Sequence, residues 1–170
     1  GELGGPSFVT LDVAGDDDQT YRFDKRWWIR SFRKELASRG QSGDLRFLSF
    51  EWYPFDDVSE GESSQLPRSA PMLERTMRRY SRLGLPLIIG EYNYSVFPCR
   101  QEVDLAGGIL NAEIAAQFLC SGGAVVYYYG YEPNVLEENS DSWGNHLMLL
   151  EKRDGATPVA TFHTLRLLTE

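Results

Sequence analysis

The stretch Pro86-Leu87-Ile88-Ile89-Gly90-Glu91-Tyr92-Asn93 is the part of the sequence that decides the fold and the position of the site. A short apolar run bounded by turn residues predicts a strand covered on both faces, as in a parallel sheet. Glu91 follows this run directly, so its carboxylate is expected at the mouth of the strand. Burial of a carboxylate there is costly unless the group has a partner. Glu91 is therefore predicted to belong to a functional site.

Two other apolar runs have the same character as the run at residues 85–90. They cover residues 45–50, which are followed by Pro54, and residues 124–129. The segments between the strands repeat apolar residues at the helical period, and Asp, Pro and Gly stand where helices prefer them. Helices are predicted from Asp24 to Gly40, from Pro71 to Gly84, from Asp104 to Gly122, and from Pro158 onward with Phe162, Leu165 and Leu168 or nearby positions facing inward.

The alternation of strands and helices predicts an α/β fold with parallel strands and right-handed crossovers. Two alternatives stay open, a segment of a (β/α)8 barrel and a segment of a doubly wound sheet. Residues 56–69 and 132–144 are predicted to be long loops that follow strands. The 170 residues fit one domain, and 42% apolar and 13% aromatic residues suffice for a packed core. A complete barrel takes about 250 residues, so a barrel would be incomplete in this chain.

The balance of charges argues against nucleic acid as a partner. The chain has 25 acidic and 17 basic residues, a net charge of −8, whereas phosphate binding needs clustered cations. The apolar runs are far shorter than the ~20 residues that span a bilayer, so no membrane partner is predicted. The start of the chain lacks a signal peptide, but the chain is expected to begin in mid-fold, so a secreted or periplasmic location stays open. Basic residues within helical patterns are interpreted as solvated helix faces: Arg30, Arg33, Lys34, Arg75, Arg78, Arg79 and Arg82.

Neither a metal site nor a cofactor site is predicted. Cys99 and Cys120 do not form a CxxC pair, and both a bridge and two free thiols are open alternatives. His146 and His163 are too far apart in the sequence to form a local metal motif. The sequence has no phosphate-binding glycine-rich turn, P-loop or nucleophile elbow, which weighs against an α/β enzyme of an unrelated class.

Polar and aromatic residues follow each predicted strand. The first strand is followed by Glu51-Trp52-Tyr53, the second by Glu91-Tyr92-Asn93 and the third by Gly130-Tyr131-Glu132, with Trp143 in the loop beyond. Aromatic rings stack on the apolar faces of sugars, and carboxylates and amides bind the hydroxyl groups. The carboxyl ends of parallel strands are where barrel enzymes place their sites. The pattern therefore predicts a carbohydrate substrate.

The order and spacing of these segments resemble the retaining glycoside hydrolases of clan A, and look closest to the family 39 and family 5 barrels. The stretch from Pro86 to Asn93 is similar to strand seven of those barrels, in which the Glu is the nucleophile. Residues 48–54 are similar to strand six, whose Tyr hydrogen-bonds the nucleophile. Residues 4–6 resemble the turn that closes strand five, residues 122–129 resemble strand eight, and residues 158–168 resemble the last helix. The resemblance implies that residues 1–170 form a partial TIM barrel, roughly strands five to eight.

The resemblance also implies a role for each matching residue. Glu91 is implied as the nucleophile, and the Tyr53 hydroxyl as the donor that favours its charged form and orients it. Two positions depart from the family pattern, because relatives often have His in place of Glu51 and Trp in place of Tyr129. The candidate substrate contacts are the aromatic residues Trp52, Tyr129, Tyr131 and Trp143 and the hydroxyl partners Glu51, Asn93 and Glu132.

One catalytic residue of the family has no counterpart here. The clan's acid/base Glu follows an Asn on strand four, and these 170 residues contain no Asn-Glu pair. Retaining enzymes hold two carboxyl groups roughly 5–5.5 Å apart, and Glu51 is expected to crowd Glu91 from the Tyr53 side rather than face it across the sugar. The acid is therefore expected from an N-terminal half barrel, with self-association as the alternative partner and the isolated chain inactive. A non-catalytic carbohydrate-binding fragment or pseudo-enzyme is the alternative function.

Overall fold

The computed structural model of the protein describes residues 3–5, 7–8, 25–55, 62–95, 100–130, 133–134, 148–152 and 155–170. Four strands form one parallel sheet in the order β1-β2-β3-β4: β1 (Leu3–Gly4), β2 (Leu45–Trp52), β3 (Leu87–Tyr92) and β4 (Val125–Tyr128). The helices are α1 (Lys25–Ser38), α2 (Glu62–Tyr80), α3 (Leu105–Cys120) and α4 (Ala160–Thr169). None of the described helices combines the length and apolar character that crossing a bilayer requires.

The strand order decides between the two alternatives that the sequence left open. All four strands are adjacent in the same order as in the chain. The common doubly wound sheets, with orders 3-2-1-4-5-6 and 2-1-3-4-5, never have more than three consecutive strands side by side in chain order. A barrel keeps every strand next to its successor. Each new strand is therefore added on the same side of the one before it, as in a barrel.

The two faces of the sheet have different surroundings. Leu48, Phe50 and Ile89 point towards the helices and are almost fully buried. They pack in one core with apolar residues of α2 and α3, and the rings of Phe50 and Phe118 meet edge to face at 6.1 Å. Alternate residues of a strand point to opposite faces, and on the other face Val125 and Tyr127 are 38% and 56% exposed. This second face corresponds to the inside of a barrel, and we call it the inner face.

The strands lie close to where the sequence predicted them, but the start of α2 does not. Residues 56–69 were predicted to be a loop and Pro71 to stand in the first helical turn, whereas α2 begins at Glu62 and contains Pro67 and Pro71. Both prolines are exposed, so the helix continues past them on its solvent side despite the lost amide donors. The serines and acidic residues of this segment resemble a loop in composition, and the same residues are tolerated at a helix N-terminus.

A second sheet was not predicted from the sequence. It contains β5 (Pro133–Asn134), β6 (Leu149–Lys152) and β7 (Gly155–Pro158), with β5 parallel and β7 antiparallel to β6. Strands of two to four residues are too short to show a period in the sequence. Pro158 ends β7 rather than opening the last helix, and Leu168 is 50% exposed rather than inward, while Thr161 is buried.

Two glycines bring α3 close to its neighbours. A Cβ atom on Gly107 would lie 2.0 Å from the carbonyl oxygen of Gln101, in the 3₁₀ turn Arg100–Glu102. A Cβ atom on Gly108 would lie 3.0 Å from the Cβ atom of Ala160, at the start of α4. The absence of a side chain at both positions therefore lets α3 pack directly against this turn and this helix.

Substitution of Gly107 by Ala is expected to lower the free energy of unfolding by about 1–3 kcal/mol, because the added methyl group meets main-chain atoms that cannot move aside. The gain of about 1 kcal/mol in helix propensity is smaller than this cost. Gly43→Ala is the matched control, because nothing lies within 4 Å of its Cβ position. Urea unfolding followed by circular dichroism measures both variants, and a Gly107→Ala midpoint equal to or above that of the parent chain would contradict the close packing.

Candidate functional site

An extra residue in β3 determines the direction of the Glu91 side chain. Phe50 of β2 pairs with Ile89, but the next residue of β2, Glu51, pairs with Glu91, so Gly90 has no partner of its own. The pairing with β4 shows the same irregularity on the other side of β3. A bulge of this kind re-aims the side chains that follow it. Glu91 therefore points to the inner face, whereas strict alternation after Ile89 would have turned it towards the helices.

Glu91 receives a hydrogen bond from the neighbouring strand. Tyr53 directly follows β2, and its hydroxyl donates to Oε2 of Glu91 at 2.9 Å. Burial raises the pKa of Tyr53, and the negative charge of Glu91 and the hydrogen bond to it raise this pKa further. The Tyr53 hydroxyl therefore stays protonated and remains a donor. The hydrogen bond expected from the sequence is present, while the catalytic roles of both residues stay predictions.

Two more ionisable side chains belong to this site. Burial raises the pKa of Glu51 above its ordinary value of 4.5, and the negative charge of its cross-strand partner Glu91 raises it further. Tyr129 follows β4 and is 37% exposed, and it lies close enough to Tyr53 for its ionised form to raise the pKa of Tyr53. We call Glu51, Tyr53, Glu91 and Tyr129 the carboxylate cluster. It brings together four of the residues that the sequence predicted, at the carboxyl ends of three adjacent strands.

Asn93 was predicted to bind a sugar hydroxyl, and the structure places it elsewhere. The side chain is fully buried. Its Nδ2 donates to the Tyr128 hydroxyl at 3.0 Å and to the Tyr129 carbonyl at 3.2 Å. Its Oδ1 accepts from the Tyr94 amide at 2.7 Å and from Nδ2 of Asn111 at 3.1 Å. An amide group makes four hydrogen bonds at most, so Asn93 has none left for a ligand and instead ties the strand ends together.

Trp52 was predicted to be a stacking platform, and this prediction is also wrong. The indole is fully buried on the helix side of the sheet, where it meets Phe50 edge to face at 6.2 Å. Its Nε1 has no hydrogen-bond partner among the described residues, so the ring contributes through apolar packing. Trp52 stands at a strand end, as the sequence predicted. Because successive side chains of a strand point to opposite faces, and Glu51 and Tyr53 point to the inner face, Trp52 points towards the helices.

The sequence analysis missed the buried polar residues that surround Asn93. Asn111 of α3 donates to Thr161 of α4 at 3.3 Å as well as to Asn93. The Thr161 hydroxyl lies 3.5 Å from the carbonyl oxygen of Glu102, to which it donates. The side chain of Glu102 is itself buried, and its charge adds to the effect of burial in raising the pKa of Tyr128. A polar Asn on the buried side of α3, between Leu110 and Ile114, was the available signal.

Three predicted contacts lie outside the described residues: Tyr131, Glu132 and Trp143. Their contact with a sugar stays a prediction. Cys120 is a free, exposed thiol, and Cys99 lies outside the described residues. In the part of the chain that the structure describes, His, Cys, Asp and Glu form no group of three or more that could hold a metal ion.

Comparison with solved structures identifies the architecture to which this sheet belongs. The chain resembles a Paenibacillus polymyxa xyloglucanase from glycoside hydrolase family 44, with 16% identity, a TM-score of 0.52, and coverage of 79% of this chain and 34% of the other. It also aligns with the catalytic domain of a Bacillus sp. JAMB-750 family 26 endo-β-1,4-mannanase, with 11% identity, a TM-score of 0.45, and coverage of 82% and 34%. The second likeness is too weak to support a conclusion.

The first likeness shows the fold alone, because the sequence identity is low. It confirms the α/β fold and the partial barrel that the sequence predicted, and the chain spans about a third of the length of the matched structures. The narrower resemblance to family 39 or family 5 stays a prediction. No protein-family model matches the sequence, and no curated protein matches it.

Substitution of Glu51 by Gln is expected to stabilise the protein at pH 7. Because folding raises the pKa of Glu51, its ionisation opposes the folded state, and stability is lost as the pH rises through the folded pKa. Glutamine has no such ionisation, so the gain should be present at neutral pH and should disappear below about pH 4. Urea midpoints of the parent chain and of Glu51→Gln between pH 3.5 and 8 measure this. Glu113→Gln, an exposed position of α3, is the control. A pH-independent difference for Glu51→Gln would contradict the expectation.

Substitution of Asn93 by Ala is expected to lower the free energy of unfolding by about 3 kcal/mol or more. The change leaves several buried polar groups without a partner, and each costs about 1–3 kcal/mol. Gln41→Ala removes an exposed amide and should change stability by less than about 0.5 kcal/mol. Chemical denaturation measures both. Equal effects of the two variants would show that Asn93 does not hold the strand ends.

Proposed function

We propose that this chain forms the nucleophile-bearing part of a retaining glycoside hydrolase, with Glu91 as the nucleophile. The observation that supports the proposal most is the hydrogen bond of 2.9 Å from the Tyr53 hydroxyl to Glu91 Oε2, on the inner face at the carboxyl ends of β2 and β3. A carboxylate that attacks a sugar has to be held in one orientation. The buried Tyr53 hydroxyl does this through a hydrogen bond and stays neutral, so it does not form an ion pair with the attacking carboxylate. The glycoside hydrolase fold of the matched structure agrees with the proposal.

The proposed chemistry uses the two oxygens of Glu91 differently. Oε2 accepts from Tyr53, so Oε1 attacks the anomeric carbon as the bond from that carbon to the leaving oxygen breaks. The leaving oxygen takes a proton from a general acid, and the product is a glycosyl ester of Glu91. Water activated by the same acid, now a base, hydrolyses the ester. The Tyr53 hydrogen bond then stabilises the carboxylate that departs.

The general acid is proposed to come from another half of the barrel. Glu51 and Glu91 are direct neighbours across β2 and β3, on the side of Glu91 where Tyr53 also lies. A retaining acid has to stand across the sugar, roughly 5–5.5 Å from the nucleophile. The exposed inner-face residues Val125 and Tyr127 support an N-terminal half barrel as the partner, because its side chains would cover them. Self-association of two copies is the alternative way to cover this face.

The substrate is proposed to be a carbohydrate that lies on the inner face above the strand ends. Tyr129, which is partly exposed beside Tyr53, is the stacking platform among the described residues. The pKa of Glu51 is raised. At pH values near that pKa, its carboxyl group can donate a hydrogen bond to a sugar hydroxyl when protonated and accept one when ionised. Tyr131, Glu132 and Trp143, which follow β4 in the sequence, are proposed as further contacts.

Covalent labelling by 2,4-dinitrophenyl 2-deoxy-2-fluoroglycosides tests the role of Glu91 directly. Dinitrophenolate leaves without protonation, so the first step needs the nucleophile but not the general acid. We expect a glycosyl adduct on the peptide that contains Glu91, found by mass spectrometry after proteolysis, and no adduct in Glu91→Gln. Tyr53→Phe should label the same residue at least about tenfold more slowly, because the orienting donor is lost.

Glu51→Gln is the matched control, because it removes the neighbouring carboxylate and should leave the site of labelling unchanged. An adduct on Glu51, or labelling that survives Glu91→Gln, would refute the assignment of the nucleophile. Saturable binding of oligosaccharides without labelling by any fluoroglycoside, including in the presence of an N-terminal half barrel, would favour a carbohydrate-binding protein without catalytic activity.

A further inference from the structure

A second concave site lies at the other end of the strands. A cavity of about 570 Å³ opens between α1 and the end of α2, including the 3₁₀ turn Ser81–Leu83 that follows it. Its lining includes Leu45, the first residue of β2, and Leu85, which precedes β3. The cavity is therefore at the amino ends of the strands, whereas the carboxylate cluster is at their carboxyl ends. A ligand bound in this cavity would therefore not compete with a sugar for the side chains of the carboxylate cluster.

The floor of this cavity is apolar and firmly packed. Ile29, Leu45 and Tyr80 line it and are buried to more than nine-tenths. Leu83 and Leu85 are half-buried and continue the same surface. A volume of about 300–1,000 Å³ with mainly apolar walls is typical of sites for small molecules.

The rim of the cavity is cationic. Arg30, Arg33 and Lys34 of α1 line it together with Arg79 of α2, and no Asp or Glu is among the lining residues. The sequence predicted solvated helix faces at these positions, but the structure brings cations of two helices to one opening.

This concentration of positive charge stands out in a chain whose net charge is −8. Arg30 and Lys34 are four residues apart on one helix, where like charges repel and destabilise. A cleft lined by one sign of charge above low-dielectric walls attracts ligands of the opposite sign. An anion held at the rim would relieve the repulsion, and an apolar group attached to it would reach the floor.

We propose that this cleft, lined by Arg30, Arg33, Lys34 and Arg79 over an apolar floor, binds a small amphiphilic anion. The ligand has a carboxylate or phosphate head that the guanidinium and ammonium groups bind, and an apolar tail that packs on Ile29, Leu45 and Tyr80. Arginine suits such heads because its planar donors bind them in pairs. Both parts of the ligand are needed, because exposed cations alone bind simple anions weakly.

Isothermal titration calorimetry with the full chain tests this with three probes: octanoate, octan-1-ol and inorganic phosphate. Octanoate should bind saturably, and at least about tenfold more tightly than either of the other two. The double substitution Arg33→Gln and Lys34→Gln should weaken octanoate binding about tenfold, and both side chains are exposed, so the fold should tolerate the change. Arg166→Gln on α4 is the matched control and should leave the affinity unchanged.

Five results would overturn the proposal. Equal binding of octanoate and octan-1-ol would indicate an apolar pocket, and equal binding of octanoate and phosphate would indicate a simple anion site. Unchanged octanoate affinity in the double variant, or no saturable binding, would also refute it. Co-sedimentation with phosphatidylglycerol vesicles that the double variant loses, without octanoate binding, would assign the rim to a membrane surface instead of a free amphiphile.

Discussion

The site depends on a single extra residue in the central strand. Gly90 has no partner in either neighbouring strand, and the pairing of β3 with both β2 and β4 is displaced at the same place. Because the side chains of a strand alternate, one unpaired residue moves every later side chain to the opposite face. The same displacement gives Glu91 the inner face and Tyr92 the buried helix face. Without it, the carboxylate would enter the apolar core and the tyrosine would stand above the strand ends.

A bulge interrupts the ladder of main-chain hydrogen bonds, so the residues after it need other support. Asn93 provides this support two residues after Glu91, since its amide links the ends of β3 and β4. Asn111 and Thr161 extend the link to α3 and α4, whose close approach is permitted by Gly108 of α3. The carboxylate cluster therefore lies at strand ends that are held in place by a buried polar network on the helix side of the sheet.

The sequence was sufficient for the parts of this arrangement that depend on composition. Continuous apolar runs predicted the positions of the strands, and a carboxylate directly after such a run predicted that Glu91 belongs to the site. The face of each side chain could not be derived, because it depends on register, and an unpaired glycine looks in sequence like any other residue of the strand. Trp52 and Asn93 were misplaced for other reasons. Trp52 alternates towards the helices between Glu51 and Tyr53. Asn93 follows the end of β3, and its buried hydrogen bonds set its direction. The N-terminal part of α2 and the second sheet were missed because they are rich in serine or very short.

The hydrogen bonding of Asn93 has a consequence for how this region can change over time. The side chain supplies two donors and two acceptors within one planar group, and each of them is matched. Aspartate has the same shape but would set a negative oxygen against a carbonyl, and glutamine is one methylene too long for the space. No conservative replacement exists. A change at this one interior amide is therefore expected to be tolerated less well than a change at the exposed positions Val125 and Tyr127 of the inner face.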